Sequence, residues 1–333
     1  MKPPRHRAIL WLLRNAPLMV FLLILAIFGS LSPKYLTPPN LINILIQSSP
    51  TAIVAIGMTF VLLTGGVDLS VGAIWFVGGA VAGKMALAGH SLGMAAVVMV
   101  LLGLVLGAVN AFFVVRLRII PFVVTLATLY LWRGLGLWIT QTRAMNLPES
   151  FLHFGAAQVV GVPVPILILG FVIALSHGLL EITPYGRQIY AVGQDAEAAS
   201  KAGVNTARIL ASVYLICGTC AAIGGVVSLT QLGAVSPTFG NQKEFSAIAA
   251  AVLGGTSLFG GSGKVFPGTV MGAVLMQAVE NGLVLLNANP YLYPVITSAI
   301  IFLAVLIDSQ RHAFLQQIGR RHIRIAADGP LAP

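Results

Sequence analysis

The sequence predicts an all-α protein, a polytopic bundle of transmembrane helices. Hydrophobic residues make up 57% of the 333-residue chain and charged residues only 8%, more apolar surface than a soluble domain of this length hides in its core. The apolar residues come in runs of roughly 20, the number an α-helix needs to cross the hydrocarbon layer. A third observation, the placing of Lys and Arg, orients the bundle.

About ten runs qualify: 9–31, 41–63, 70–89, 92–114, 120–140, 162–181, 208–230, 245–260, 265–287 and 291–308. The first follows Lys2, Arg5 and Arg7 as a signal sequence would, but no small-x-small cleavage site precedes Ser32-Pro33-Lys34, so a retained helix is expected. The eighth, 245–260, is short and ends in glycines, which makes it either a full span or a broken half-helix. Residues 1–15 then form an N-terminal tail, 16–308 the membrane domain and 309–333 a C-terminal tail.

Cytoplasmic loops collect Lys and Arg. With the N-terminus inside, the inner segments hold Lys2, Arg5, Arg7, Arg14, Arg116, Arg118, Arg187, Lys201, Arg208, Lys264, Arg311, Arg320, Arg321 and Arg324, and the outer ones only Lys34, Arg143 and Lys243. Fourteen against three puts both termini in the cytoplasm. The net charge of +10 therefore reflects topology, and no nucleic-acid partner is needed to explain it.

Thirty-six glycines suit helices that associate in lipid through small residues. Gly79-x-x-x-Gly83, Gly103-x-x-x-Gly107 and Gly268-x-x-x-Gly272 fit that use. Cys217 and Cys220 sit one helical turn apart in an apolar run with no His or further Cys, and read as packing residues.

The segment Gly65-Gly66-Val67-Asp68-Leu69-Ser70-Val71-Gly72 breaks two apolar runs with a carboxylate and three glycines. Irregular backbone at membrane depth needs protein or a water-filled cavity around it, so the break is a pathway wall, a tight re-entrant corner or a plain loop. Asp68 is expected to cap the Leu69–Ser70 amides or a neighbouring helix start, either to hold an inner gate or as an ordinary N-cap. Leu62 to Leu69 is faintly echoed by Val252-Leu253-Gly254-Gly255-Thr256-Ser257-Leu258, also at an inner end.

The longest inner hydrophilic stretch, Thr183 to Arg208, contains the alanine-rich Asp195 to Lys201, with acids in front and Lys behind. That order suits a short helix, stopped by Gly203. It forms either a docking knob or a solvated loop helix.

Catalytic and nucleotide motifs are missing from the sequence. Gly260-Gly261-Ser262-Gly263-Lys264-Val265 fails as a phosphate loop, which needs Gly in place of Leu258 and Ser or Thr in place of Val265. The six His have no metal-ligand spacing. Inside the apolar runs lie Lys84, near enough to an end to snorkel, and Arg133 and Glu280, expected to pair as a tie lining the outer half of a pathway. Asn110 and Asn281 are hydrogen-bonders to another helix or to a passing solute. So few buried acids argue against an ion-coupled carrier.

Four ordered segments resemble the membrane permease subunit of bacterial ATP-binding-cassette sugar importers of the ribose, xylose and arabinose type, carbohydrate uptake family 2. They are Gly65 to Gly72; Pro121-Phe122-Val123-Val124-Thr125-Leu126 with Arg133-Gly134; Gly186-Arg187-x-x-Tyr190-Ala191 to Gly203; and Ala247-Ile248-Ala249-Ala250-Ala251-Val252-Leu253-Gly254-Gly255-Thr256-Ser257-Leu258. The resemblance spans about Ser32 to Asp308 and implies a fold like the vitamin B12 importer's permease. It further implies a second copy of the chain, a cytoplasmic ATPase holding ATP and Mg, a periplasmic sugar-binding protein, a monosaccharide substrate and a bacterial inner-membrane location. This chain itself would hold no cofactor or metal.

By the same resemblance the loop 183–207 is the ATPase-coupling element, with Gly186, Arg187, Tyr190, Gly193, Glu197, Ala198, Ala199 and Gly203 as its residues. Gly65, Gly66, Asp68, Ser70 and Gly72 are the expected inner gate or corner, and Asn110, Arg133, Glu280 and Asn281, as polar residues in apolar runs, are candidate pathway residues. The chain departs from the family where Gly193-Gln194-Asp195 replaces Gly-Gly-Asn, Ser200 replaces Arg and Ser246 replaces an acid. An ion-coupled secondary carrier for a small polar solute is the alternative, and a membrane-embedded enzyme is disfavoured.

Overall fold

A computed structural model describes residues 4–300 together with 302, 303 and 306. The expected C-terminal tail 309–333 and most of 301–308 lie outside the described residues. Among the described residues, six helical stretches are long and apolar enough to cross a membrane. They are α2 (Pro38–Leu63); α4 (Leu92–Ala111), extended by a π-turn to Arg116; α5 (Pro121–Thr140); α7 (Val164–His177), extended to Ile182; α10 (Thr206–Leu232); and α12 (Val270–Leu285), preceded by a turn from Val265. Shorter apolar helices are the 18–31 part of α1 (Pro4–Leu31) and α3 (Val71–Leu87). A further helix runs from 293 to 300. The fold is a polytopic helical bundle, and eight of the ten expected spans coincide with these helices to within five residues, the exceptions being 245–260 and 291–308, whose end lies outside the described residues.

Helix α2 is the axis. From Ser48 to Leu63 every residue is buried, and α2 packs on α7, α10, α11 (Lys243–Leu253) and α12. Its polar residues are satisfied locally, as where Thr59 Oγ1 donates to the Ala55 carbonyl and also bonds Thr269 Oγ1 at 2.7 Å. Glycines set how closely other helices approach. A Cβ on Gly103 or Gly107 of α4 would fall on the carbonyls of Gly218 and Tyr214 in α10, so these two backbones touch. Gly79 and Gly83 instead seat the side chains of Phe239 and Met145.

One end of the bundle carries the π-turn to Arg116, α8 (Pro184–Gln194), α9 (Ala196–Lys201) and the loop 254–264, and with them Arg116, Arg118, Arg187, Lys201, Arg208 and Lys264. The opposite end is closed by α6 (Glu149–Ala156), by β1 (Met145–Asn146) paired antiparallel with β4 (Ala234–Val235), and by the hairpin of β2 (Gln158–Val159) and β3 (Val162–Pro163). After β4 the chain turns back inward: Phe239 packs against Gly79 and Trp75, Gly240 approaches Gly72, and Lys243 reaches Thr51 in α2. Helix α11 therefore begins partway along the bundle and runs 11 residues toward the basic end, where Gly254 meets Gly268. Of the two readings of the eighth run, the half-helix is the one found.

Candidate functional site

Three linked parts make up the site: the corner after α2, the α8–α9 loop beneath it and a polar cavity above it. The corner folds because Gly65 adopts φ +77°, open to glycine without steric cost. Asp68 is fully buried. Its Oδ1 accepts from the Ser70 amide at 2.9 Å, the Ser70 hydroxyl at 2.6 Å and the Asn110 amide at 3.5 Å. Asn110 Nδ2 also donates to Ser70 Oγ at 2.8 Å, and Thr128 Oγ1 donates to Asn110 Oδ1 at 2.8 Å. Asp68 thus holds the Ser70 amide, as expected, and ties the start of α3 to α4 and α5. Ser70, rather than Asp68, is the N-cap position.

Below the corner, Thr183 caps α8 by accepting from the Gly186 amide. Asp195 accepts from the Glu197 and Ala198 amides at 2.9 Å each and so starts α9. Lys201 bonds Glu197 at 2.8 Å one turn away, and Gly203 ends the helix at φ +87°. The short helix read from the sequence is present. Arg187, Glu197 and Ala198 face outward while Ala199 is buried beneath them.

Three glycines then make a joint that sequence reading missed. A Cβ on Gly193 would strike the Leu63 carbonyl at the end of α2, Gly261 N donates to that same carbonyl at 2.9 Å, and Gly260 lies against both Gly193 and Gly65. The loop just past the second echoed segment thereby touches the first segment and α8. Tyr190 fastens the contact by donating its hydroxyl to the Gly263 carbonyl at 2.8 Å. Burial, with Glu181 nearby, pushes that hydroxyl up to about 12, so it keeps its proton throughout the physiological range. The faint repeat lay next to this joint in the sequence, but the meeting of Gly260 and Gly261 with Gly65 and Leu63 is a tertiary fact.

Above the corner is a cavity of about 510 Å³ between α2, α3, α10, α12 and the inward turn after β4. Gln47, Thr51, Trp75, Ser228, Gln231, Lys243 and Gln277 line it, among others. Lys243 Nζ lies 3.4 Å from Thr51 Oγ1 and 5.8 Å from the centroid of the Trp75 ring. Counted from the sequence as an outer-loop cation, Lys243 is instead inside the bundle, because the chain dips before α11.

That dip also corrects the expected Arg133–Glu280 tie. Arg133 donates to the Phe239 carbonyl at 2.9 Å, lies over the Phe76 ring at 5.0 Å and has Glu244 as its opposing charge. Glu280 is opposed by Lys243. Adjacent residues at the start of α11 thus supply a charge to each side, and the adjacency of Lys243 and Glu244 before an alanine-rich run was the sequence signal for it. Of the two readings of Asn110 and Asn281, the bonds found are those to other helices. Asn110 bonds Asp68, Ser70 and Thr128, and Asn281 exchanges bonds of 2.9 and 3.1 Å with Asn40 of α2. Both amides join helices and lie outside the cavity lining.

No solved structure matches the chain. Curated relatives do. It is 38% identical over 306 residues to the ribose import permease protein RbsC of Escherichia coli (strain K12), covering 90% of this chain and 95% of that protein. It is 38% identical over 310 residues to the D-allose transport system permease protein AlsC of the same strain, covering 92% and 94%. The xylose transport system permease protein XylH of that strain is 31% identical over 367 aligned positions, with 89% and 93% covered. Residues 40–306, from the start of α2 through the described end of the bundle, match the family described as branched-chain amino acid transport system / permease component, and the chain belongs to that family of membrane permeases.

Proposed function

We propose that this chain is the membrane permease of an ATP-driven importer that translocates a monosaccharide, foremost a pentose such as ribose, xylose or arabinose, delivered by a periplasmic binding protein. The observation that carries the reading is similarity over about nine-tenths of the chain to permeases named for ribose, allose and xylose. Two copies form the pore in the bacterial inner membrane, with both termini cytoplasmic. An ATPase holding ATP and Mg docks on the basic end, so the chain itself is a transport subunit and not an enzyme.

The geometry supports a mechanical role for α8 and α9. A force applied to α8 passes through the Gly193–Leu63 contact to the end of α2, and through Tyr190–Gly263 to the loop that ends α11. Helix α11 carries Lys243 and Glu244 at its far end, against the cavity and the corner of α3. Closure of the ATPases therefore bears on the half-helix, which has few residues of its own to resist it. The Asp68 network keeps the start of α3 fixed while this happens, as an inner gate requires.

Purification of the tagged chain from its own host membranes in mild detergent, followed by mass spectrometry, tests the reading. A stoichiometric Walker-motif ATPase is the expected companion. The chain appearing alone across several detergents, with solute uptake that collapses under a protonophore, would replace the importer by an ion-coupled carrier.

A further inference from the structure

We propose that the cavity above the corner is a transit site for a neutral, polyhydroxylated solute, and that Ser228, Gln231, Gln277 and Trp75 are its contact residues. The inference rests on the importer reading and adds where within this chain the sugar passes.

The chemistry of the lining carries it. The Ser228 hydroxyl and the Gln231 and Gln277 side-chain carbonyls have no protein hydrogen-bond partner among the described residues, although Ser228 is 9% exposed. Their partners on the donor side are fixed: Gln231 Nε2 donates to the Ile46 carbonyl at 2.9 Å, and Gln277 Nε2 to Gln47 Oε1 at 3.0 Å. Both amide groups are thereby held in place, and the Ser228 hydroxyl on the cavity lining is free to bond a solute or water. The Trp75 indole N–H is also buried and unpartnered. A wall of amides and hydroxyls beside one aromatic residue suits a sugar, which offers both hydroxyl donors and acceptors and apolar C–H faces.

Charge narrows the class further. Lys243 is the cation on the lining and, among the described residues, no carboxylate lines the cavity, so it offers no charge to an ammonium group. A branched-chain amino acid, the solute in the family's description, would need such a charge and an apolar wall for its side chain. A volume of about 510 Å³ also lies within the usual range of small-molecule sites, roughly 300–1,000 Å³. Because the sites are unfilled acceptors rather than a closed cage, the geometry fits passage better than retention.

The test uses the chain with its co-expressed ATPase and receptor in liposomes, reading uptake of radiolabelled D-ribose, D-xylose and D-allose and receptor-stimulated ATP hydrolysis in the same vesicles. Ser228→Phe, which fills the cavity, is expected to cut uptake tenfold or more while ATP hydrolysis stays within twofold. Ser228→Cys gives a second measurement that does not depend on folding around a large side chain. Its uptake is compared before and after reaction with a bulky methanethiosulfonate reagent, with the unsubstituted chain as control, since Cys217 and Cys220 are buried. Modification is expected to abolish uptake, and transported sugar with receptor to slow the modification. Unchanged uptake after complete modification overturns the cavity assignment alone. A parent complex that moves none of the three sugars overturns the importer reading and the assignment with it.

Discussion

Asp68 has no solvent to replace a lost partner, because it is fully buried and its Oδ1 collects the Ser70 amide, the Ser70 hydroxyl and the Asn110 amide. Asp68→Ala strands those donors and is expected to lower stability by about 1–3 kcal/mol, with Asp68→Asn falling in between. Thermal unfolding of the purified variants in detergent measures it, and a midpoint equal to the parent's for Asp68→Ala would remove the network from any structural role. Gly193 and Gly203 make a second contrast. A Cβ on Gly193 collides with the Leu63 carbonyl, whereas Gly203 has open space and only its φ of +87° to disfavour Ala, a strain of about 1–2 kcal/mol. Uptake per milligram of inserted protein should therefore fall further for Gly193→Ala than for Gly203→Ala, and the reverse order would count against the glycine joint. The sequence drew attention to Asp68 because a carboxylate interrupts apolar runs. It gave no hint of Leu63, whose backbone oxygen does the work.

Helix–helix contacts are where glycine spacing carries meaning, and each motif has to be read against what it touches. Gly103 and Gly107 bring α4 onto the backbone of α10, while Gly170 on α7 has nothing within 4 Å. Gly103→Leu is accordingly expected to lower the unfolding midpoint and yield sharply, and Gly170→Leu to leave both near the parent's. Equal effects from the two would mean that the α4–α10 crossing is less close than described. The same three-residue spacing at Gly79 and Gly83 seats side chains of the inward turn and of β1, so spacing alone identified small residues without identifying their use. Helix α9 was legible in full, from its Asp195 cap to its Gly203 stop, because capping is decided within a few residues. Helix α11 was legible as short, yet its starting depth was not.

For the molecule as a whole, the two ends differ in charge, and that difference predicts orientation. Ser200→Cys on α9 should react with an impermeant maleimide only when the cytoplasmic face is exposed, and Ser150→Cys on α6 only from the outside of intact spheroplasts. The opposite pattern would invert the topology and move the ATPase dock away from α8 and α9. The extent of most apolar runs, the basic asymmetry, the broken corner and the alanine-rich helix were determined by the sequence itself, since hydrophobic length, charge bias and capping act locally along the chain. The placing of Glu244 on the Arg133 side and of Lys243 on the Glu280 side, the meeting of Gly193, Leu63 and Gly261, and the cavity were decided by the tertiary structure alone. Each depends on how far the chain dips after β4 before α11 begins, and that depth is set by the packing of Phe239 and Gly240 on α3, not by any periodicity in the residues that dip.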